Sequence, residues 1–423
     1  MTTRSSWRVD GRPVSLLGYG AMRLPTVDRA HATGGVEGAS KAAIDQELLN
    51  RQVKLLLDGG VNLFDTSPAY CRGESERCLG EALAASGYKR SDYFLSTKLS
   101  NFAPPQQTLA GSKALFANSL KCLRTDYLDL YILHHLAAGG MKGLKRRFID
   151  NGVIDWLCAE RRAGRIRNLG FSVHGDRDVW DWCMANHAKY RWDFALIQLN
   201  YVDWAHATEV SNCFKLVGKI NAKDLYADLA ARQIPALVME PLLGGRLARY
   251  NYAVARELQP LDPSASLASW AFRFAASHGN VLAVLSGMTR TEHIEENLRT
   301  FSPLRKLNAA EFAALERAAD ALNRQQTVDC NDCKYCMPCP YGLDIPAIFA
   351  FRNEVLSSPV RLQPREILRL YAARVPEPLR RADHCTGCGR CVPHCPQGLD
   401  IPRELAKIDK WIDEVKNEVA QLA

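Results

Sequence analysis

Short apolar segments alternate with helical patterns along roughly the first three hundred residues, and this alternation restricts the fold more than any other feature. Each segment has the length and apolar character of a buried strand. Together there are eight, at residues 14–20, 61–64, 93–98, 127–134, 166–172, 194–200, 236–240 and 281–285. Alternating strands and helices predict a parallel sheet, and eight repeats favour a closed (β/α)8 TIM barrel over an open doubly wound sheet. The chain also starts without the strand–Gly-x-Gly-x-x-Gly–helix fingerprint of the open sheet.

The chain has 423 residues, which is more than a barrel alone requires. Its composition changes abruptly after residue 322, and residues 323–327 have the polar character of a linker. We therefore predict a barrel over residues 1–322 and a smaller, mainly α-helical domain over residues 323–423. Residues 29–40 are rich in Gly and Ala and predict a loop insertion.

The formal net charge is +8, but the basic residues are scattered. We interpret pairs such as Arg146-Arg147 and Arg161-Arg162 as solvated faces. Basic and aromatic residues are not interleaved on one predicted face, which argues against nucleic-acid binding. The N-terminus lacks the apolar core of a secretory signal, and no apolar run reaches the ~18 residues of a membrane span. We therefore expect a cytoplasmic protein that does not bind membranes.

Eight of the fourteen cysteines form two C-terminal cassettes. The first cassette contains Cys330, Cys333, Cys336 and Cys339, and the second contains Cys385, Cys388, Cys391 and Cys395. The second has the Cys-x2-Cys-x2-Cys-x3-Cys-Pro spacing of two-cluster ferredoxins, in which the fourth thiolate ligates the other [4Fe-4S] cluster. By that logic Cys395 completes the first site and Cys339 the second. The first cassette departs from the pattern, with two residues rather than three before Cys339.

A pair of structural zinc sites is the competing interpretation of these cassettes. Four-cysteine zinc sites use two cysteine pairs separated by a loop. Here four cysteines lie in one tight run with a proline after the last, which favours iron-sulfur chemistry. We therefore predict a ferredoxin-like domain with two [4Fe-4S] clusters.

The second predicted strand ends at an acid, and Ser67-Pro68 then turns the chain before a tyrosine. Parallel barrels keep their chemistry at the C-terminal ends of their strands, so Asp65 and Tyr70 are candidate site residues. A solvated loop acid and a half-buried loop aromatic would explain these two residues alone.

Further motifs follow along the barrel. They are Asn62–Tyr70, Glu74-Ser75-Glu76 with Gly80, Ser96-Thr97-Lys98, Asp126–His134, Gly164–Arg167, Gly170-Phe171-Ser172 and Glu295–Leu298. In this order and spacing they resemble the aldo/keto reductase family, and the whole chain resembles the subgroup in which the barrel carries a C-terminal ferredoxin-like domain. The resemblance implies a catalytic tetrad of Asp65, Tyr70, Lys98 and His134.

The chemistry of carbonyl reduction explains such a tetrad. A free tyrosine, which titrates near pH 10, is a reluctant acid at neutral pH. An ammonium group held by a carboxylate stabilises the phenolate, and the resemblance gives these roles to Lys98 and Asp65. His134 would position the substrate oxygen or relay the proton. Singly, Lys98 is also explained as a strand-end charge and His134 as a core histidine, but together at successive strand ends they favour a site.

The resemblance also implies a dinucleotide, NAD(P)(H), across the barrel mouth. The matching positions are Gly20, Met22, Ser172, Gln198, Pro241, Leu242, Gly245, Gly287, Thr289, Glu296 and Asn297. Three positions depart from the family pattern. Val173 replaces the usual asparagine, Met239 an aromatic that often stacks on the ring, and His293 an arginine that often grips the 2′-phosphate. NAD and NADP both stay open, and a flavin at the barrel mouth is a further alternative.

Clusters accept one electron at a time, whereas a nicotinamide gives up two as hydride, so something must split the pair. Either a flavin occupies the barrel mouth, or two clusters take two electrons in quick succession from a substrate-derived intermediate. We expect an oxidoreductase that acts on a carbonyl or alcohol of a small molecule, with a soluble electron carrier as a candidate partner. One alternative is an NAD(P)H-dependent carbonyl reductase with a structural or docking cluster domain, and another is a non-catalytic redox or nucleotide sensor. Residues that follow strand ends and would line the pocket are Phe102, His135, His174, Tyr201 and Trp204.

Overall fold

The computed structural model describes residues 1–27, 43–174, 176–205, 220–325, 327–375, 381–395 and 397–421. The insertion predicted at residues 29–40 lies outside these ranges. The described residues divide into two compact units, one of residues 1–205, 220–241 and 269–307 and the other of residues 242–268 and 308–421. Residues 242–268 and 308–322, which the sequence predicted within the barrel domain, thus belong to the second unit. The boundary after residue 322 stays a prediction.

The first unit contains a closed barrel of eight parallel strands, which confirms the predicted fold. Going round the barrel, each strand pairs with its neighbours in chain order, and the last strand pairs with the first. The barrel strands are β3 (Leu17–Gly20), β4 (Leu63–Asp65), β5 (Phe94–Leu99), β6 (Leu128–Leu133), β7 (Ile166–Val173), β8 (Phe194–Gln198), β9 (Ala236–Met239) and β10 (Val281–Ser286). The C-terminal ends of these strands therefore meet at one mouth.

Helices separate the strands, as the helical spacing predicted. The α-helices are α1 (Gln46–Asp58), α2 (Ser75–Ala85), α3 (Leu109–Cys122), α4 (Gly140–Leu144), α5 (Val153–Arg162), α6 (Arg177–Ala185), α7 (His187–Tyr190), α8 (Ala222–Ala231), α9 (Tyr252–Leu258), α10 (Leu267–Ser277), α11 (Thr291–Thr300), α12 (Ala309–Asn323), α13 (Ile345–Leu356), α14 (Pro364–Arg374) and α15 (Ile401–Gln421). Helix α1 is typical: Asp45 caps it by accepting a 2.9 Å hydrogen bond from the Leu48 amide, and its buried face includes Val53 and Leu56.

A two-stranded antiparallel hairpin, β1 (Arg4–Val9) and β2 (Arg12–Ser15), precedes the barrel. Asp10 and Gly11 form its turn with positive φ angles of 49° and 73°. Val9 and Val14 pack into the apolar cluster formed by the barrel interior. The single strand predicted at residues 14–20 is therefore divided, with Val14 in the hairpin and Leu17–Gly20 in the barrel.

The second unit is mainly α-helical, as predicted, and has a core of its own. Helices α13, α14 and α15 contribute its buried residues, and the rings of Phe351 and Tyr371 lie 4.7 Å apart within it. Five of the cassette cysteines pack against this core and Cys395 lies inside it. Among the helices of the described residues, none combines the length and apolar composition that crossing a membrane requires.

Candidate active site and metal centres

Strand ends of the first unit bring the predicted tetrad together at the barrel mouth. Asp65 is the last residue of β4, Lys98 lies near the end of β5, and His134 directly follows β6. Tyr70 begins a short 3-10 turn after β4. All four side chains are at most 8% exposed, so none is the solvated loop residue of the alternative interpretation.

Lys98 and Asp65 form a buried ion pair. Lys98 Nζ lies 2.5 Å from Asp65 Oδ2 and donates a second hydrogen bond of 2.7 Å to the carbonyl oxygen of Thr66. Ser96 Oγ donates to the other carboxylate oxygen of Asp65 at 2.7 Å. Burial lowers the pKa of Lys98, while the attraction of Asp65 raises it. Asp65 therefore opposes the effect of burial, which favours the neutral form of the lysine.

The tyrosine lies against this pair. Lys98 Nζ is 4.9 Å from the centroid of the Tyr70 ring. Cys71, Arg72 and Gly73 follow with positive φ angles of 52°, 56° and 90°. Left-handed backbone at two consecutive non-glycine residues is strained, and such strain clusters at functional sites. The turn holds Tyr70 beside the lysine rather than letting α2 begin directly after β4.

His134 completes the group. Its ring is perpendicular to that of Tyr70, with centroids 6.0 Å apart, and its Nδ1 lies 2.6 Å from Ser100 Oγ. Ser100 Oγ in turn lies 2.9 Å from Ser67 Oγ. Burial, and next the charge of Lys98, lower the pKa of His134 well below its usual value, so the imidazole is neutral near pH 7. Since Ser100 occupies Nδ1, Nε2 is the nitrogen through which His134 can bond a substrate.

Arg147 was not recognised as part of this region, and its interpretation as a solvated residue is wrong. Its side chain is 2% exposed, and it donates 2.8 Å hydrogen bonds to the carbonyl oxygens of His134 and His135. A third bond, of 3.2 Å, reaches Asn101 Oδ1. Desolvation lowers the pKa of Arg147 to about 9. The guanidinium group thus holds the chain where it leaves β6, and no local sequence pattern distinguishes such an arginine from a surface one.

The residues predicted to line the pocket fall into two groups. The Phe102 ring lies 5.2 Å from that of His134, and the His135 and His174 rings lie 4.6 Å apart. Trp204 instead stacks on His278 at 4.3 Å, and Tyr201 packs on Phe274 at 6.3 Å. The structure therefore places Phe102 beside the tetrad and Tyr201 and Trp204 in an aromatic cluster with helix α10.

Nine of the predicted cofactor positions lie in the first unit. They are Gly20, Met22, Ser172, Gln198, Pro241, Gly287, Thr289, Glu296 and Asn297. Gly20 and Gly287 lie where β3 and β10 end, and a Cβ added at Gly287 would come 3.8 Å from Gly20 O. Gln198 Nε2 donates to Asp203 Oδ2 at 2.5 Å, so its Oε1 faces away from this bond. Leu242 and Gly245 belong to the second unit.

The cassette cysteines surround two cavities in the second unit. Cys330, Cys333, Cys336 and Cys395 line one of them. Cys339, Cys385, Cys388 and Cys391 line the other. Each cavity thus takes three cysteines from one cassette and its fourth from the other. The lining follows the crossed grouping, while the ligation of two clusters by these cysteines stays a prediction.

The arrangement and burial of the cysteines limit the kind of metal group that each cavity could hold. Among the described residues, no three His, Cys, Asp or Glu side chains are arranged to hold a single metal ion. A cubane places each cysteine on a different iron, so its ligands need not converge on one point. Burial raises the pKa of the Cys330 thiol to about 12, so binding of a metal group would release protons.

Comparisons with known proteins agree with this geometry. The aldo/keto reductase family model matches residues 17–320, and a model described as a 4Fe-4S dicluster domain matches residues 329–399. An aldo-keto reductase of Mycobacterium marinum is 27% identical over 290 residues, which cover 68% of this chain and 86% of that protein.

Two solved structures are similar in fold. The holo form of an aldo-keto reductase from Bacillus halodurans has a TM-score of 0.56 at 22% identity, covering 76% of this chain and 97% of that one. An aldo-keto reductase from Klebsiella pneumoniae in complex with NADPH has a TM-score of 0.52 at 17% identity, covering 75% of this chain and 95% of that one. This chain therefore belongs to the aldo/keto reductase family, and it is an oxidoreductase with a 4Fe-4S dicluster domain at its C-terminal end.

Proposed function

We propose that this chain couples carbonyl–alcohol redox chemistry at the barrel mouth to electron transfer through two [4Fe-4S] clusters, each of which takes one of the two electrons that the alcohol releases, with NADP(H) as the hydride cofactor for the same substrate. The observation that supports the barrel chemistry most strongly is the buried Lys98–Asp65 pair beside the Tyr70 ring. The crossed grouping of the cysteines around two cavities supports the clusters. The NADPH complex of the Klebsiella pneumoniae relative supports the choice of dinucleotide.

In this proposal Tyr70 exchanges a proton with the substrate oxygen. The Lys98 ammonium, 4.9 Å from the ring centroid, stabilises the phenolate that remains. Asp65 preserves the charge of Lys98 against desolvation. When Ser100 donates to His134 Nδ1, the ring proton lies on Nε2, from which His134 donates to the substrate oxygen. General acid–base chemistry of this kind contributes about 10²–10⁴-fold to the rate.

The residues at the mouth fit a nicotinamide dinucleotide, which supplies a hydride when it is bound. Asp203 fixes the amide of Gln198, so that Gln198 Oε1 can accept a hydrogen bond from the nicotinamide carboxamide. Gly20 and Gly287 bring no side chain to the mouth at the ends of β3 and β10. Val173 cannot form a side-chain hydrogen bond to the nicotinamide carboxamide, because it replaces the asparagine that is usual in the family. A flavin is therefore the alternative occupant of the barrel mouth.

The cysteines fit two cubane clusters, which transfer one electron each. Cys333 and Cys395 are 8% and 7% exposed, and the cavity they share is also lined by apolar Ile345 and Phe349. Cys388, in the other cavity, is exposed. The second site is therefore the one that a soluble electron carrier would reach.

The test is chemical analysis of the protein purified under argon, followed by ligand binding. We expect about eight irons per chain and a brown chromophore, together with NADPH binding that Tyr70→Phe leaves intact while it removes turnover. Zinc in place of iron would contradict the clusters. Unchanged turnover in Tyr70→Phe would favour the sensor, and unchanged turnover in Cys388→Ser would favour a reductase with a docking domain. A yellow chromophore after cluster bleaching would favour a flavin.

A further inference from the structure

Three basic side chains outside the tetrad lie near the ends of strands β6 and β7. His135 comes two residues after β6, and His174 directly follows β7. Their rings lie 4.6 Å apart, with an angle of 76° between the ring planes. Arg147 joins them, because its Nη1 donates a 2.8 Å hydrogen bond to the carbonyl oxygen of His135. We call these three residues the basic triad, and all of them belong to the first unit.

The basic triad adjoins the tetrad. Arg147 Nη2 donates a 2.8 Å hydrogen bond to the carbonyl oxygen of His134. The Phe102 ring lies 5.2 Å from the His134 ring and 4.9 Å from the guanidinium carbon of Arg147. Burial lowers the pKa of His134 most, and the charges of Lys98 and Arg147 lower it further. The positive charge of Arg147 therefore acts at the imidazole that faces the reacting group.

The charge of Arg147 is buried without a counter-ion. Among the described residues, Arg147 forms no ion pair, whereas Lys98 is paired with Asp65. Its hydrogen-bond acceptors are neutral: two backbone carbonyl oxygens and Asn101 Oδ1. Desolvation lowers the pKa of Arg147 to about 9, so the guanidinium group is still charged near pH 7. Buried charges are normally paired, so this one is an exception.

The basic triad also has polar atoms without hydrogen-bond partners. A guanidinium group has five N–H donors, and Arg147 uses three of them. One N–H remains on each terminal nitrogen, with no acceptor in the part of the chain that the structure describes. His174 Nδ1 is buried and likewise has no partner among those residues. Buried polar atoms without partners cost free energy, which a bound ligand of matching chemistry recovers.

A structural role for Arg147 accounts for its hydrogen bonds but not for its charge. Arg147 holds the chain after β6 by donating to carbonyl oxygens. Asn151 does the same with a neutral amide, since its Nδ2 donates to the carbonyl oxygens of Gln107 and Arg147 at 2.5 Å and 2.8 Å. Fixing the backbone here thus does not require a positive charge, and a charge that is desolvated at some cost calls for another explanation.

We propose that the basic triad recognises a carboxylate on the substrate, so that the substrate is an oxo acid or the corresponding hydroxy acid. The assignment rests on the proposed function, which places the reacting carbonyl at Tyr70 and His134. A carboxylate on the same molecule is attracted by the charge of Arg147, and the partly exposed ring of His174 donates a hydrogen bond to it. The carboxylate takes no part in the redox step, which stays that of the proposed function.

Paired acids and amides test this recognition. Turnover is measured for 2-, 3- and 4-oxo acids and for their amides, which are similar in size but uncharged, with NADPH or prereduced clusters as the electron source. We expect kcat/KM to be at least about tenfold higher for an acid than for its amide in at least one pair. The difference should lie mainly in KM, because the carboxylate is bound in the ground state and the transition state alike.

Variants of Arg147 separate the effect of its charge from its structural role. Arg147→Gln should bring the acid-to-amide ratio of kcat/KM toward one, whereas loss of a purely structural residue would lower both values alike. Arg147→Lys, which retains the charge, should restore part of the ratio. Arg146→Gln, at the exposed neighbouring position, should leave the ratio unchanged. If Arg147→Gln does not fold, His174→Gln decides, because it too should reduce the ratio.

The outcomes separate this assignment from the proposed function. Equal kcat/KM for acid and amide in every pair, with carbonyl turnover intact, would overturn the carboxylate assignment and leave the proposed function in place. An unchanged ratio in Arg147→Gln, or in His174→Gln where it decides, would likewise overturn the role of the basic triad. Turnover of no carbonyl, charged or neutral, would overturn the proposed function and the assignment together.

Discussion

The ammonium nitrogen of Lys98 lies 2.5 Å from Oδ2 of Asp65, with the two side chains 1% and 4% exposed. A buried ion pair adds little net stability, because desolvation of both groups offsets their attraction. The pair nevertheless lies at the ends of two neighbouring barrel strands, against the ring of Tyr70. Its position therefore points to chemistry rather than to stability.

Removing one partner of this pair should destabilise the barrel more than removing both. Lys98→Met leaves a buried carboxylate and should cost about 3–5 kcal/mol of unfolding free energy. Lys98→Met with Asp65→Asn should regain part of that loss without regaining turnover. Lys54→Met, which breaks an exposed pair with Asp58, should leave the free energy of unfolding nearly unchanged. Urea unfolding and turnover assays measure both effects, and equal losses in the single and double variants would contradict this reading.

Tyr70→Phe removes the proposed acid while keeping the ring that packs against Lys98 and His134. We expect kcat to fall by about 10²-fold or more, because the hydroxyl that exchanges the proton with the substrate is lost. Dinucleotide affinity should change less than threefold, since the hydroxyl is not among the predicted cofactor contacts. Phe102→Leu serves as a control that alters the neighbouring aromatic surface. Comparable kcat values for Tyr70→Phe and the wild type would exclude Tyr70 as the acid.

Acid should destabilise the first unit through His135 and His174, which are partly buried. Burial lowers the pKa of His174 to about 4, whereas an unfolded histidine titrates near 6.5. Below about pH 6.5 the unfolded chain binds more protons than the folded one, so unfolding free energy falls as the pH decreases and levels off above that value. His135, whose ring lies 4.6 Å away, has a pKa lowered for the same reason.

Urea unfolding at pH 7.5 and pH 5.5 measures this dependence. His174→Gln should reduce the difference in unfolding free energy between the two pH values. An identical difference in His174→Gln and the wild type would show that His174 is not responsible.

Single cysteine variants distinguish crossed from uncrossed ligation. Cys395 lines the cavity of the first cassette, so Cys395→Ser should lose the same EPR signal as Cys333→Ser and about half of the iron. Cys339→Ser should instead match Cys388→Ser, because both residues line the other cavity. If Cys395→Ser matched Cys388→Ser, the ligation would follow the cassettes rather than the cavities.

The barrel and the cysteine grouping could be predicted because their signals are local and periodic. Each barrel strand is a short apolar run closed by polar or glycine residues, and β6 and β7 lie within a residue of their predicted bounds. The Cys-x2-Cys-x2-Cys-x3-Cys-Pro spacing of the second cassette is by itself typical of [4Fe-4S] ligation. The tetrad required a resemblance, since Lys98 or His134 alone has an ordinary structural explanation.

Other features depend on tertiary contacts that no short pattern encodes. In the sequence Arg147 resembles a surface residue, because it stands beside Arg146. In the structure it is buried and donates hydrogen bonds to the two carbonyl groups that follow β6. Residues 242–251 were predicted as part of the barrel domain. In the structure Arg246 contacts Asp329 and Asn251 contacts Gln325, both close to the first cassette in the chain. The β1–β2 hairpin could have been predicted, because Asp-Gly between two strand-like segments is a strong hairpin signal.

The central claim is that electrons pass between chemistry at the barrel mouth and the clusters. The most direct measurement is an anaerobic redox experiment followed by EPR and visible absorption. Alcohols are added to oxidised protein, and aldehydes or ketones to prereduced protein, so that the two electrons of the substrate correspond to one electron on each cluster. Parallel samples also contain NADPH or NADP+. We expect the clusters to change redox state in at least one direction in the wild type, and this change to be lost in Tyr70→Phe. Clusters that keep their redox state in both directions, while NADPH binds and a carbonyl is turned over, would contradict it.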